Sequence, residues 1–295
     1  MVVRGGFHPN LGHKTMKNTP SPSQLLAVAL EAAAKASVIA KAQRDQATVS
    51  VSFKGDRNLV TTADIAAEQE IITSIRNHFP NHRILAEESA QTHPPEEYGD
   101  GYVWVIDPID GTTNYAHGHY HVGVSIACAL NGEVLAGVVA APFLNETFSA
   151  TKGGGAFLND RPIRCSDTEN VEEALVTTGF PYNRSNIHNI CKRIERVATL
   201  CRDVRRLGAA SLDICWVACG RIDAYFEETL NPWDGAAGGL IAREAGAAIG
   251  HYHYDSEIQK VSARYPGDLF VDNIVVAPPK LLPKLLTTLH GESTK

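Results

Sequence analysis

Asp107 and Asp110 stand three residues apart in the run Trp104-Val-Ile-Asp107-Pro108-Ile109-Asp110-Gly111-Thr112-Thr113-Asn114. An apolar stretch delivers Asp107 to its end, and Pro108 forbids an ordinary helical or strand continuation. One turn can therefore aim both carboxylates at a common point. Like charges that close repel unless a proton or a cation separates them, and hard oxygen ligands of this kind suit Mg²⁺. Gly111 lets the backbone approach a ligand closely, and the amides after it can donate to a phosphate. A capped turn with two solvated aspartates has the same sequence, so the pair alone decides nothing.

Other acidic groups join them. Glu87-Glu88 follows the short apolar run Arg83–Ala86, and Asp234 follows Pro232-Trp233 at the start of a small-residue helix, where a carboxylate also serves as an N-cap. The segment from Lys54-Gly55-Asp56 to Thr61-Thr62-Ala63-Asp64 adds another acidic helix start. Acids at strand ends matter because open α/β sheets tend to build sites there.

The elements that must position these groups are legible in the apolar periodicity. Leu26, Ala29, Leu30, Ala33, Ala34 and Ile39 recur near a 3.6 period, predicting a helix capped by Ser23 and ending near Asp45. Val49, Val51 and Phe53 alternate as in a half-buried strand over 48–53. A helix from about Asp64 to Phe79 stops at Pro80. The apolar runs at 83–86 and 102–106 are strands, as are Val122–Leu130 and Val134–Ala141, which Asn131-Gly132 joins in a type I′ hairpin. A second hairpin turns around Gly153–Gly155. Helices at 186–200, 212–219, 234–244 and 279–289 then alternate with strands at 175–178, 222–226 and 274–277. This order predicts an α+β or mixed α/β fold rather than one doubly wound sheet. Residues 1–20, with basic side chains but no acidic one and no periodicity, read as a mobile tail. The functional unit then runs from 21 to 295, with a subdomain boundary near 160–172.

Composition narrows the function classes. The chain of 295 residues is 44% hydrophobic and 20% charged, which excludes a disordered, collagenous or coiled-coil protein. A net charge of −6 advertises no nucleic-acid or anionic-membrane surface. None of the six cysteines forms a C-x-x-C pair, so no structural zinc site is expected, and Cys215 and Cys219 read as buried thiols. No apolar run reaches a membrane span and no secretory signal opens the chain, so a cytoplasmic location is expected.

Glu87-Glu88 at a strand end, D-P-I-D-G-T-T-N at Asp107–Asn114 and W-D-x-A-A-G at Trp233–Gly238 occur in that order, and together they resemble the signature of the inositol monophosphatase family of Mg²⁺-dependent, lithium-sensitive phosphatases. The likeness runs from Ser23 to the C-terminus. It implies a layered α-β-α-β-α sandwich and a homodimer. By position it implies that Glu87, Asp107, Asp110 and Asp234 hold metal through carboxylates and Ile109 through its carbonyl. Two or three Mg²⁺ ions per subunit follow. Gly111 and Thr112 match the phosphate cradle, and Thr112 with Asp64 the pair that orients the attacking water. The implied chemistry is in-line attack by a metal-activated water with no phosphoenzyme, and Glu87 belongs to the catalytic set.

Substrate-side matches are Gly208-Ala209-Ala210, which lines the polyol pocket, and Glu227, the acidic contact to ring hydroxyls; Asp110, Gly111, Thr112 and Asp234 complete the substrate-binding set. Ala209 departs from the Ser or Thr usual in the family, while Ser211 stands two places on. Thr113 favours an inositol-1-phosphate-like substrate, with histidinol phosphate or other polyol and sugar phosphates as alternatives and a non-catalytic scaffold as the rival class. The expected partner is a small phosphorylated metabolite, with no nucleic acid and no membrane. His117-Gly-His119-Tyr-His121 reads as a polar loop, although an extended run would align three imidazoles for Zn²⁺. Arg205-Arg206 fits either a substrate contact or a subunit interface.

Overall fold

In the computed structural model Ser21 begins the first helix, α1 (Pro22–Asp45). Its hydroxyl accepts from the Gln24 amide at 3.3 Å while the Gln24 side chain accepts from the Ser21 amide at 2.8 Å, a reciprocal cap. The cap therefore lies two residues before the expected Ser23, because Pro22 has no amide to leave unpaired and suits the first turn. The structure describes residues 19–45, 51–53, 59–89, 98, 100–252 and 265–291. The expected tail at 1–20 falls almost wholly outside them, as do residues 48–50 of the expected first strand and Lys54–Asp56.

A two-stranded ribbon, β1 (Val51–Phe53) and β2 (Leu59–Thr61), leads into α2 (Thr62–His78). Thr61 caps α2, and Asp64 closes the box by accepting from the Thr61 amide. The large sheet then follows in chain order: β3 (Arg83–Ala86), β4 (Tyr102–Asp110), β5 (Gly123–Leu130), β6 (Glu133–Ala141), β7 (Glu146–Thr151), β8 (Ala156–Leu158) and β9 (Arg161–Pro162). Only β3 and β4 pair in parallel. Asn131 and Gly132 both take positive φ, 52° and 82°, as the β5–β6 turn requires. Between β4 and β5 lies the five-residue helix α3 (Thr112–Ala116).

The second sheet has five strands in the order β11-β10-β12-β14-β13: β10 (Leu175–Thr178), β11 (Asp203–Arg205), β12 (Ala224–Glu227), β13 (Ala248–His251) and β14 (Ile274–Ala277). Helices α4 (Ile187–Ala198), α5 (Ala210–Ala218), α6 (Pro232–Glu244) and α7 (Leu282–His290) complete the α-helices among the described residues. Strand alternation assigns the layers. On β4, Trp104 and Ile106 face a core with α1 and α2, whereas Val103 and Val105 face a core with α5 and α6. On β12 and β14, Tyr225, Ile274 and Val276 join that same central core, while Ala224, Phe226, Val275 and Ala277 pack outward with α4 and α7 residues. The result is the expected five-layer α-β-α-β-α sandwich, with α5 and α6 buried between the sheets.

That position explains their composition. α6 carries Ala236, Ala237, Gly238 and Gly239, and Ala237 lies so close to β6 that a Cβ on Gly137 would come within 3.1 Å of it. Small residues let a helix lie between two sheets with both N-termini brought to one place.

Candidate active site

Side chains three apart on a regular strand point to opposite faces. Asp107 and Asp110 escape that rule because the β4–β5 register shifts between them, at Pro108-Ile109. Proline is tolerated there because a bulge needs no ladder hydrogen bond from it. The Ile109 amide donates to Asp107 Oδ1 at 3.0 Å and fixes the bulge from within. Asp110 is then received by the first turn of α5: the Ala210 amide donates at 3.2 Å, the Ser211 amide at 2.7 Å and the Ser211 hydroxyl at 2.6 Å.

Asp234 reaches the same place from α6. Asn231, not Asp234, caps that helix; Asp234 is the third helical residue, and its Oδ2 accepts from the Asn231 amide at 2.7 Å. The expectation that Asp234 opens the helix as its cap is corrected accordingly, since Pro232 takes the first helical position. The Ser125 hydroxyl donates to the Trp233 carbonyl at 3.0 Å and ties this helix start to β5. Glu87 sits in the turn after β3, where its amide bonds the Ile106 carbonyl at 3.1 Å and the Glu88 amide donates to Glu68 Oε2 at 2.8 Å.

Ligand atoms of Asp107, Asp110 and Asp234 all lie within 4.8 Å of one another. Asp107 is only 2% exposed and Asp110 7%. Burial pushes all three above the usual carboxylate range; the neighbouring carboxylates, Glu87 first, add to it at Asp107, and Asp110 and Glu87 at Asp234. The Ser211 bonds pull Asp110 partly back. Among the described residues no basic side chain hydrogen-bonds to these carboxylates. Convergent, unneutralised oxygen donors of this kind, two buried and the third, Asp234, half-buried, fit a hard divalent cation, which supplies the missing positive charge.

The three open onto a cleft of about 630 Å³, lined also by Glu87, Ile109, Gly111, Thr112, Gly208, Ala210 and Glu227. Gly111, at φ 87°, has no room for a side chain: a Cβ would meet the Gly208 carbonyl at 3.0 Å. Thr112 Oγ1 lies 3.1 Å from both Asp64 Oδ1 and the Ile109 carbonyl. Asp64 itself is buried and reaches the cleft only through Thr112; burial raises its pKa. Ala209 is not on the cleft wall, as expected from its neighbours, but is buried beneath Gly111. Ser211 does not supply the wall hydroxyl that Ala209 lacks, because its hydroxyl is spent on Asp110.

Several features were not read from sequence. Phe180, Tyr182 and Arg184, in the loop after β10, line the cleft; of Arg205-Arg206, which the sequence left between a substrate contact and a subunit interface, Arg206 lines the cleft and Arg205 turns to Asp203 and the Val204 carbonyl. A pattern of F-P-Y-N-R carries no motif that would have marked them. Beneath the site, His121 Nε2 lies 2.8 Å from Asp213 Oδ1, and Thr177 donates to Asp213 Oδ2 at 3.1 Å. The histidine run is thus no three-imidazole site: Gly118 turns the chain at φ 77°, Arg44 holds the Gly118 and His119 carbonyls, and His121 points to Asp213. The Gly153 and Gly155 amides are occupied by Glu244, at 2.7 and 2.9 Å, as suits a hairpin rather than a phosphate loop.

The sequence profile of the Inositol monophosphatase family matches residues 21–294. Nus factor SuhB of Pseudomonas aeruginosa is 39% identical over 270 residues, 90% of this chain and 96% of that protein. The inositol monophosphatase of Anabaena superposes with a TM-score of 0.75 at 34% identity, covering 91% of this chain and 96% of its own. The extragenic suppressor protein suhB of Bartonella henselae does so with a TM-score of 0.78 at 30% identity, covering 92% and 99%. Among the described residues no helix is long and apolar enough to cross a membrane.

Proposed function

The chain belongs to the inositol monophosphatase family, and we propose that it is a Mg²⁺-dependent phosphomonoesterase acting on a small polyol phosphate, inositol-1-phosphate first. The observation that carries this reading is the convergence of Asp107, Asp110 and Asp234 within 4.8 Å, the first two buried and the third half-buried, with no basic side chain hydrogen-bonded to them among the described residues. Two or three ions would be held by these carboxylates with Glu87 and the Ile109 carbonyl. When bound, they neutralise phosphoryl charge, stabilise the leaving alkoxide and make water a nucleophile near neutral pH.

The chain's own groups do the rest. Thr112, held by Asp64, presents hydroxyl lone pairs to a water in the cleft and orients it for in-line attack; Asp64, fixed by two donors from Thr61, keeps that hydroxyl aimed. Gly111 and Thr112 receive phosphoryl oxygens through the backbone that Gly111 alone can supply. Gly208 and Ala210 shape the polyol end, and Glu227 accepts from ring hydroxyls. A homodimer, lithium sensitivity, a cytoplasmic location and one functional unit from residue 21 belong to the same reading. Relatives bear the name Nus factor, so the expectation of no nucleic-acid partner has no support from them and forms no part of the proposal.

Phosphate release from inositol-1-phosphate and from histidinol phosphate, each with Mg²⁺ and with EDTA, tests it. Mg²⁺-dependent preference for the inositol ester is expected. Preference for histidinol phosphate would keep the chemistry and replace the substrate. Release from neither, nor from any of a wider panel of small phosphate monoesters, in folded protein that binds Mg²⁺, would overturn the reading.

A further inference from the structure

The small-sheet wall of the cleft carries two carboxylates and two guanidinium groups, and their pairing is unequal. Glu228 is engaged by Arg193 in an ion pair that is nearly buried, with Asn186 reaching it at 3.4 Å. Arg206 folds back over Gly208 and lies close enough to Glu227 to draw its pKa down against the effect of burial. Arg184 has no such counterpart. Its guanidinium stacks on Phe180, 5.1 Å from the ring centroid, and its Nε is buried with no hydrogen-bond partner among the described residues. No acidic side chain among them pairs with it. A buried donor without an acceptor is costly. Phe180 and Arg184 both line the cleft, so the guanidinium, which no carboxylate among the described residues neutralises, is placed to meet an anion that arrives with the ligand.

We infer that Arg184 receives a second anionic group, a carboxylate or a phosphate, on the alcohol part of the substrate, so that esters carrying such a group are preferred over their uncharged counterparts. This rests on the phosphomonoesterase reading and narrows its substrate class. The aspartate end of the cleft handles the phosphate that is cleaved. The planar guanidinium fork of Arg184, on the lining of the same cleft, suits the two oxygens of a carboxylate or phosphate. Inositol-1-phosphate has no second anionic group to offer Arg184. An amine-bearing alcohol is disfavoured beside it, since the unpaired charge on this wall is positive.

Two matched substrate pairs separate the sources of the anion. Glycerol 2-phosphate and 2-phosphoglycerate differ by a carboxylate; inositol 1-phosphate and inositol 1,4-bisphosphate differ by a phosphate. With Mg²⁺-loaded enzyme, the ratio of kcat/KM for the anionic over the uncharged member is expected to reach about tenfold or more in at least one pair. That ratio should collapse in Arg184→Gln and survive in part in Arg184→Lys, which keeps the charge without the fork. Because both members are measured on one preparation, loss of folded protein cancels. The pair that responds identifies carboxylate or phosphate. Ratios near one in both pairs, or a ratio that Arg184→Gln leaves intact, would overturn the inference. Hydrolysis of the uncharged esters alone would sink it while sparing the phosphomonoesterase reading, and hydrolysis of none of the four would remove both.

Discussion

Asp110 on the floor of the cleft accepts three hydrogen bonds from the first turn of α5, whereas Glu227 on the small-sheet wall accepts one, from the Tyr225 hydroxyl at 2.6 Å in its own strand. The floor is assembled from β4, β5 and two helix starts, and its spacing is enforced by backbone. A Cβ on Gly123, which pairs with Asp110, would strike the Ser211 hydroxyl at 2.7 Å. The wall is assembled from side chains at the end of β12 and on the segments after β10, β11 and β12. Over-determined backbone holds charges within a few ångströms of one another despite their repulsion. Side chains on loops supply shape and charge that can vary without disturbing that arrangement. Chemistry is thereby assigned to the rigid region and selectivity to the adaptable one.

The largest effect that would break this contrast is at Asp107. Asp107→Asn is expected to lower kcat/KM by about a thousandfold or more, measured as phosphate release at saturating Mg²⁺; full activity would remove the floor as the chemical centre. The same substitution should stabilise the metal-free protein. Burial and the neighbouring carboxylates raise the Asp107 pKa, so in the metal-free state the folded chain holds a proton that the unfolded chain has released. Its contribution is most favourable below the unfolded carboxylate pKa of about 4 and is lost as pH rises through the folded value. In EDTA, wild-type Tm should therefore fall, as pH rises above the ordinary carboxylate range, more steeply than that of Asp107→Asn, by a few degrees, roughly 2–4 °C per kcal/mol. Parallel melting curves would contradict the electrostatic account.

A smaller loss is expected at Ser211, whose hydroxyl supports Asp110 without touching the cleft. Ser211→Ala removes one charge-assisted hydrogen bond, about 1.5–3 kcal/mol, and leaves both backbone donors. Activity at limiting Mg²⁺ should drop roughly ten- to a hundredfold and recover in part as Mg²⁺ is raised. A change in KM for the ester with unchanged metal dependence would move Ser211 to the wall.

The smallest effect belongs to Glu227. Burial raises its pKa to about 7, against the Tyr225 hydrogen bond. Ionised Glu227 is the better acceptor, so KM for a polyol phosphate should fall as pH rises through about 7. Glu227→Gln should raise KM about fivefold, roughly 1 kcal/mol, flatten that profile and leave kcat nearly unchanged. A matching loss in kcat would erase the division between floor and wall.

Much of the fold was legible because it is local. The alternation of β4, the Asn131-Gly132 turn and the small-residue α6 each depend on residues within a few positions, so periodicity and turn chemistry found them. Helix starts were missed by two or three residues where proline sits at the first helical position, as at Pro22 and Pro232, since the cap then lies before the proline. The order of the acids Glu87, Asp107, Asp110 and Asp234 was also readable, with their resemblance to a family.

Sequence alone thus determined which carboxylates exist, which elements carry them and that a strand must end in a turn between Asp107 and Asp110. Only the tertiary structure decided that the turn is a bulge turning both acids one way, that Ser211 serves Asp110 rather than the substrate wall, and that Ala209 is buried beneath Gly111. It alone gathered Tyr182, Arg184 and Arg206 into the cleft and paired His121 with Asp213. Each of these outcomes depends on groups brought together from distant parts of the chain, 101 positions apart for Asp110 and Ser211 and 92 for His121 and Asp213. No local propensity encodes such pairs; packing two sheets about α5 and α6 brings them together.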